Sequence, residues 1–276
     1  MHDRIGVMAS LKEKGSGFKE MKRYNLKVCQ LYSWEPHVWS EELAGRVRAD
    51  AKSSGIHITA FWAGWTGPAT WNMVDGPGTL GLLPAAYRYH RIMELTKAGD
   101  FAQKLGVPAI ITHLGFIPEN PLDSLFRDMV IAVRAIAQEL SKRNLEFWFE
   151  TGQETPLTLL RLIREVGAPN LGINLDPANL ILYGKGNPID ALDVFGKYVR
   201  NIHAKDALCP TDPSQIGREV KVGEGRVRFP EFVRKLKKIG FKGEFIIERE
   251  VSGEQQARDI LETTKYLKKL LEAKND

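Results

Sequence analysis

Cysteine is scarce: Cys29 and Cys209 are the only two in 276 residues. That count excludes a disulfide framework and fits a reducing compartment. No apolar run is long enough to span a bilayer, and Met1-His-Asp-Arg offers no apolar leader segment. The chain therefore reads as soluble and cytoplasmic, with no membrane partner. Neither sign of charge dominates, since 39 Lys and Arg stand against 34 Asp and Glu, a net +5. The lysines near the C-terminus, Lys265, Lys268, Lys269 and Lys274, read as the solvated face of a terminal helix and not as a nucleic-acid surface. Linkers and low-complexity stretches are also missing, so residues 1–276 are expected to form one domain. With 43% hydrophobic residues there is material for a large core.

What is present is a repeat of short apolar runs. Candidate strands lie at Arg4–Met8, Leu26–Leu31, Ile56–Trp62, Val107–His113, Leu145–Glu150, Leu171–Asp176, Val199–His203 and Glu244–Glu248. Eight runs in this length leave about 34 residues per unit, the size of a βα repeat. Helical signals fill the gaps. Leu122, Leu125, Phe126, Met129, Val133, Ile136 and Leu140 recur at three- and four-residue spacing after Pro121. Thr155-Pro156 reads as an N-cap followed by proline at the first helical position, and Gly167 closes that helix. Ser252 and Gln255 have capping-box spacing before the last helix, and Phe229–Ile239 precedes the last strand. The predicted fold is α/β, a single closed (β/α)8 TIM barrel; a doubly wound open sheet is the competing architecture.

Two connections exceed what a compact barrel needs: Ala63–Ala85 after the third strand and Ala204–Arg228 after the seventh. Both leave C-terminal strand ends, where barrel active sites are built.

Those same ends carry a pattern of chemistry. The sixth strand, Leu171-Gly-Ile-Asn-Leu-Asp176, stops at a carboxylate that Pro177 follows. A buried carboxylate needs a cation or another polar partner. Glu150 ends the fifth strand, His203 the seventh and Glu248 the eighth, each one unit on from its predecessor. Each alone reads equally well as a cap or an ion-pair partner, but four in register at successive strand ends define a metal site. Three carboxylates and an imidazole suit one divalent ion, Mn²⁺ first, with Mg²⁺, Co²⁺ or Zn²⁺ as alternatives.

The segments Phe149-Glu150-Thr-Gly, Asn174-Leu-Asp176-Pro-Ala-Asn179, Asn201-Ile-His203-Ala-Lys205-Asp206, Gly223-Glu-Gly225 and Ile246-Ile-Glu248-Arg-Glu250, with Thr112-His113-Leu-Gly115, carry a resemblance. The chain resembles the xylose-isomerase-like barrel superfamily: sugar phosphate isomerases and epimerases, ketose 3-epimerases, inosose dehydratases and endonuclease IV. The resemblance implies metal ligands at Glu150, Asp176, His203 and Glu248. It also implies that two carboxylates double as acid and base, for which Glu150 and Glu248 are the candidates. The implied activity is metal-dependent isomerisation or epimerisation of a small sugar or sugar phosphate. Elimination from an inosose or keto-glycoside is the alternative, and a sugar-binding barrel or a nuclease ranks lower. Relatives are often dimers or tetramers, so a homo-oligomer is an allowed expectation.

Other side chains are candidates for the substrate itself. His113 and Lys205 can meet a hydroxyl or carbonyl oxygen, or serve as a structural histidine and an ion-pair partner of Asp206 or another carboxylate. Glu154 and Gln153 are further polar candidates. Trp62 and Trp65 offer flat faces for a sugar ring or for a neighbouring subunit. The amides of Gly223-Glu-Gly225 suit a phosphate or a plain turn.

Three sites depart from the relatives. Asn179 stands where endonuclease IV and the ketose 3-epimerases have histidine, and Gly217-Arg218-Glu219 replaces the nuclease's Asp-x-His. These changes remove ligands for a three-metal cluster, so nucleic acid is not the expected partner. Cys209 replaces an arginine of the ketose 3-epimerases, which moves the expected substrate away from free ketohexoses.

Overall fold

The computed structural model describes residues 4–273, so Met1–Asp3 and Lys274–Asp276 lie outside the described residues. The eight barrel strands are β1 (Ile5–Lys12), β2 (Val28–Ser33), β3 (His57–Ala63), β4 (Ala109–His113), β5 (Glu146–Glu150), β6 (Leu171–Leu175), β7 (Val199–Ala204) and β8 (Phe245–Ile247). All eight predicted strands exist, shifted by a few residues. Asp176 and Glu248 fall one residue past β6 and β8. Neighbouring strands pair in parallel around the ring, and β8 returns to β1 through Ile5–Phe245, Gly6–Ile246 and Val7–Ile247. That last ladder excludes the open sheet.

Strand alternation explains the two layers of packing. On β5, Phe147 and Phe149 join Met129, Val133 and Ile136 in the cluster between strands and helices. Trp148 points the other way, into a separate small cluster with Ala60, Trp62, Ala109 and Ile111. A Cβ on Gly172 would lie 2.4 Å from the Trp148 ring, so glycine is what lets the indole cross the barrel floor.

The helices between strands follow from local signals. Thr155 caps Pro156–Val166 by accepting from the Thr158 amide, and Gly167 ends it at φ 67°. The helix expected after Pro121 starts later, at Ser124, because Asp123 accepts the Leu125 amide at 2.8 Å. Leu122 and Leu125 are exposed, and the buried stripe begins at Phe126. Ser252 does precede the last helix, Gly253–Glu272, but its side chain caps nothing. Gln255 donates instead to Asp259, which also binds Arg249, and so the capping box does not form.

The two long connections are ordered by buried polar side chains. In the first, a short helix spans Gly76–Thr79. Arg91, fully buried, donates to the carbonyls of Pro68, Thr79 and Gly81, and Glu94 holds the amide and hydroxyl of Thr66. In the second, Asp206–Leu208 pairs antiparallel with Arg218–Val220. Both therefore contain secondary structure that the sequence did not suggest. The first βα unit has only the four-residue helix Phe18–Met21, and the C-terminal helix packs against β1 and the neighbouring Lys22–Tyr24 turn.

Candidate metal centre

Glu150, Asp176, His203 and Glu248 converge at the C-terminal mouth, with one ligand atom from each within 4.8 Å of all the others. His113 pairs with Glu150 across the β4–β5 ladder, which places it at the same depth. Asp176 has two jobs. Its Oδ1 accepts the amides of Ala178 and Asn179 at 2.8 and 3.0 Å, capping the short helix Pro177–Leu182. Its Oδ2 is buried without a hydrogen-bond partner and faces the cluster. The Nδ1 atom of His203 lies 3.1 Å from Glu150 Oε1, 2.7 Å from Glu248 Oε2 and 4.0 Å from Asp176 Oδ2. On its far side, His203 Nε2 is 2.7 Å from Gln30 Oε1.

An orphaned buried carboxylate oxygen, two further carboxylates and an imidazole nitrogen aimed at one point fit a divalent cation. The donor set is hard and oxygen-rich.

The electrostatics of the cluster follow from burial and from its own charges. Burial pushes Asp176 up to about 7, with Lys205 pulling the other way. Burial also opposes the charge on Glu248, but Lys205 and His203 outweigh it and hold that carboxyl down at about 2. Glu150 is likewise held well below the usual range by His113 and His203 in spite of burial. For His203 burial disfavours the cation, and Glu150 with Glu248 overcomes it, keeping the ring charged well above its ordinary range. Cation binding must then displace protons from Asp176 and His203. Affinity for Mn²⁺ is expected to rise at least about tenfold per pH unit from pH 5 to 7. Because the Asp176 carboxyl is raised and not lowered, its share of that slope disappears above about pH 7. Titration calorimetry across that range measures it.

The remaining sequence candidates separate clearly. Lys205 is buried, with Nζ 2.6 Å from Glu250, 3.4 Å from Glu248 and 3.7 Å from Asp176, and these carboxylates raise its pKa in spite of burial. Its partners are not Asp206. Trp62 donates its indole N–H to Glu150 Oε2, and Asn179 donates to Glu150 Oε1 at 3.3 Å and to the Thr151 carbonyl at 3.1 Å. Asn179 therefore braces Glu150 while still lining the cavity. His113 Nε2 is 3.4 Å from Glu150, and its Nδ1 is buried and unpaired. Glu154 is buried, and burial raises it to about 7; its Oε1 accepts the Gly152 amide. Neither Glu154 nor Gln153 reaches the cavity wall.

Trp65 is a correction. It is buried, 5.0 Å from the Arg91 guanidinium and edge-on to Trp34, and presents no face to a ligand or a subunit. Trp34 and Trp71, which sequence reasoning did not select, line the cavity with Trp62 and His113. The rings lie 4.8 Å (Trp34–Trp62), 6.1 Å (Trp34–Trp71) and 5.0 Å (Trp71–His113) apart. The cavity measures about 580 Å³. The Gly223-Glu-Gly225 amides are also spoken for, since both donate to Asp206 Oδ2, at 2.9 and 3.0 Å. They form a turn, not a phosphate cradle.

The eight strands form a closed parallel barrel that carries at its mouth four side chains whose donor set fits a divalent cation. The chain belongs to the xylose isomerase-like TIM barrel family, whose profile matches residues 18–270. It is similar to the crystal structure of a xylose isomerase domain protein from Planctomyces limnophilus, with 34% identity, a TM-score of 0.92 and 98% of both chains covered. A D-tagatose 3-epimerase-like protein shares the fold at 21% identity and a TM-score of 0.73, over 97% of each chain. An uncharacterized protein of Methanocaldococcus jannaschii is 26% identical over 188 residues, which span 63% of this chain and 60% of that protein. No helix among the described residues is long and apolar enough to cross a membrane.

Proposed function

We propose that the protein is a divalent-metal-dependent isomerase or epimerase of a sugar, sugar phosphate or keto-sugar, acting at a C–H bond next to a carbonyl. The observation that carries this reading is the orphaned Asp176 Oδ2 aimed at Glu150, His203 and Glu248 beside a cavity walled by three tryptophans. Mn²⁺ is the preferred ion.

A proton alpha to a carbonyl is a very weak acid, so the negative charge left by its removal must be stabilised. A divalent cation, when bound, supplies Lewis-acid stabilisation of that charge worth several kcal/mol. The chain supplies the rest. Glu150 and Glu248, the outer members of the ligand series, remove the proton from one face and return it to the other. Lys205 and His113 hold substrate oxygens, and Asn179 keeps Glu150 in place. Trp62 and Trp71 offer apolar faces to the sugar ring.

The test is solvent exchange. Purified protein with Mn²⁺ in D2O, incubated with ketoses, keto-glycosides and sugar phosphates, is expected to replace one substrate C–H by C–D. A chelator is expected to stop it. No exchange across the panel would count against the reading, and a product lacking water or aglycone would assign a lyase. Trp71→Ala is expected to raise KM about three- to tenfold with kcat little changed, as befits loss of one stacking contact; steady-state kinetics on the substrate so found checks this.

A further inference from the structure

We infer that Gln30 is a positioning residue that fixes which nitrogen of His203 faces the metal centre. Gln30 is a polar side chain between the buried Cys29 and Leu31 of strand β2, and it is completely buried. Its strand is not adjacent to β6 or β7 in the barrel, so its side chain reaches across the lumen. There its amide makes two contacts of opposite sense. Gln30 Nε2 donates to Asn174 Oδ1 at 3.2 Å, and Gln30 Oε1 lies 2.7 Å from His203 Nε2.

Asn174 matches that orientation. Its Oδ1 also accepts from Asn201 Nδ2 at 2.9 Å, across the β6–β7 ladder where the two asparagines pair. With that oxygen accepting from two amides, Gln30 presents its N–H₂ to Asn174 and its carbonyl to His203. A carbonyl can only accept. In this arrangement Nε2 of His203 carries a proton, so the proton that a cation displaces is the one on Nδ1, which faces Glu150, Asp176 and Glu248. Three amides from three strands thus hold one proton on Nε2 and single out Nδ1 as the nitrogen that gives up its proton to an arriving ion. Outer partners of this kind typically change metal affinity about 10–100-fold.

This inference rests on the metal-centre reading but not on the choice of substrate. Its test uses the intact protein and Mn²⁺ or Mg²⁺ alone. In wild-type protein labelled with ¹⁵N-histidine and loaded with diamagnetic Mg²⁺, NMR is expected to show His203 protonated at Nε2. The opposite tautomer overturns the inference without any substitution. Gln30→Met keeps the side-chain length and removes the acceptor, so Kd for Mn²⁺, read as free ion by EPR, is expected to rise about 10–100-fold. Gln30→Glu retains an acceptor and is expected to stay within about threefold of wild type, a rescue that a purely space-filling role would not give. Met and Glu variants with equal Kd overturn the role of Gln30 while the metal centre stands. Absence of Mn²⁺ binding by wild type overturns both.

Discussion

Glu248→Gln is expected to lower kcat about 10³-fold while the barrel stays folded and the ligand is still bound. Glutamine keeps the volume and one oxygen, so packing beside Ile247 is preserved. What is lost is a carboxylate able to take a proton, and general acid–base groups contribute about 10²–10⁴-fold. The position makes this variant interpretable. The Glu248 side chain is 19% exposed at the mouth, with Oε2 2.7 Å from His203 Nδ1 and Oε1 3.4 Å from Lys205. Glutamine can still offer its oxygen to either. Glu150 is less suitable for the same experiment. One of its oxygens accepts from Trp62 and the other from Asn179, so an amide nitrogen there would oppose an N–H donor on either side. Glu150→Gln should therefore lose structure and metal as well as turnover. For Glu248→Gln the measurements are kcat, the C–H exchange rate and ligand affinity. Unchanged exchange would remove Glu248 from the chemistry. Equal loss of binding and turnover would make it a ligand only.

The barrel and its cation cluster could be read from the chain because both depend on short-range regularities. Strand length, the βα spacing and a polar residue at the C-terminal end of a strand are one-dimensional signals. What could not be read depends on contacts across the barrel. Gln30 and Tyr32 look like interruptions in a core strand until closure turns them into the lumen. Trp34, Trp65 and Trp71 are equivalent as letters in loops. Arg91 decides between them, because its guanidinium seats Trp65 within the wall while Trp34 and Trp71 line the cavity. Asn179 was legible as a departure from relatives, but its bond to Glu150 was not. In each case the deciding partner is tens of residues away, and strand periodicity carries no information about it.

The same holds for the turn after β7, where the largest stability effect is expected. Asp206→Ala should cost about 3–5 kcal/mol. One buried carboxylate accepts four backbone amides: Ala207 and Val227 on Oδ1, at 2.9 and 3.0 Å, and Gly223 and Gly225 on Oδ2, at 2.9 and 3.0 Å. The chain closes tightly over it, since a Cβ on Gly225 would lie 2.1 Å from Oδ1. Alanine would orphan all four donors, and each buried unsatisfied amide costs about 1–3 kcal/mol. The two glycine amides are only partly buried and recover some of that from water, which sets the total below the simple sum. In a chain this long the melting temperature should fall roughly 6–12 °C. Asp206→Asn discriminates further. Its single carbonyl oxygen can serve one pair of amides, while its N–H₂ opposes the other pair in either orientation. It should therefore be destabilised too, by about half as much, although it fills the same space. Because Asp206 directly follows Lys205, both variants should also blur the aim of that ammonium at Glu248 and Asp176 and reduce exchange at temperatures where the fold persists. Thermal melts followed by circular dichroism measure the first effect. An asparagine variant that melts with wild type would show that packing, and not the four-amide cage, holds this turn.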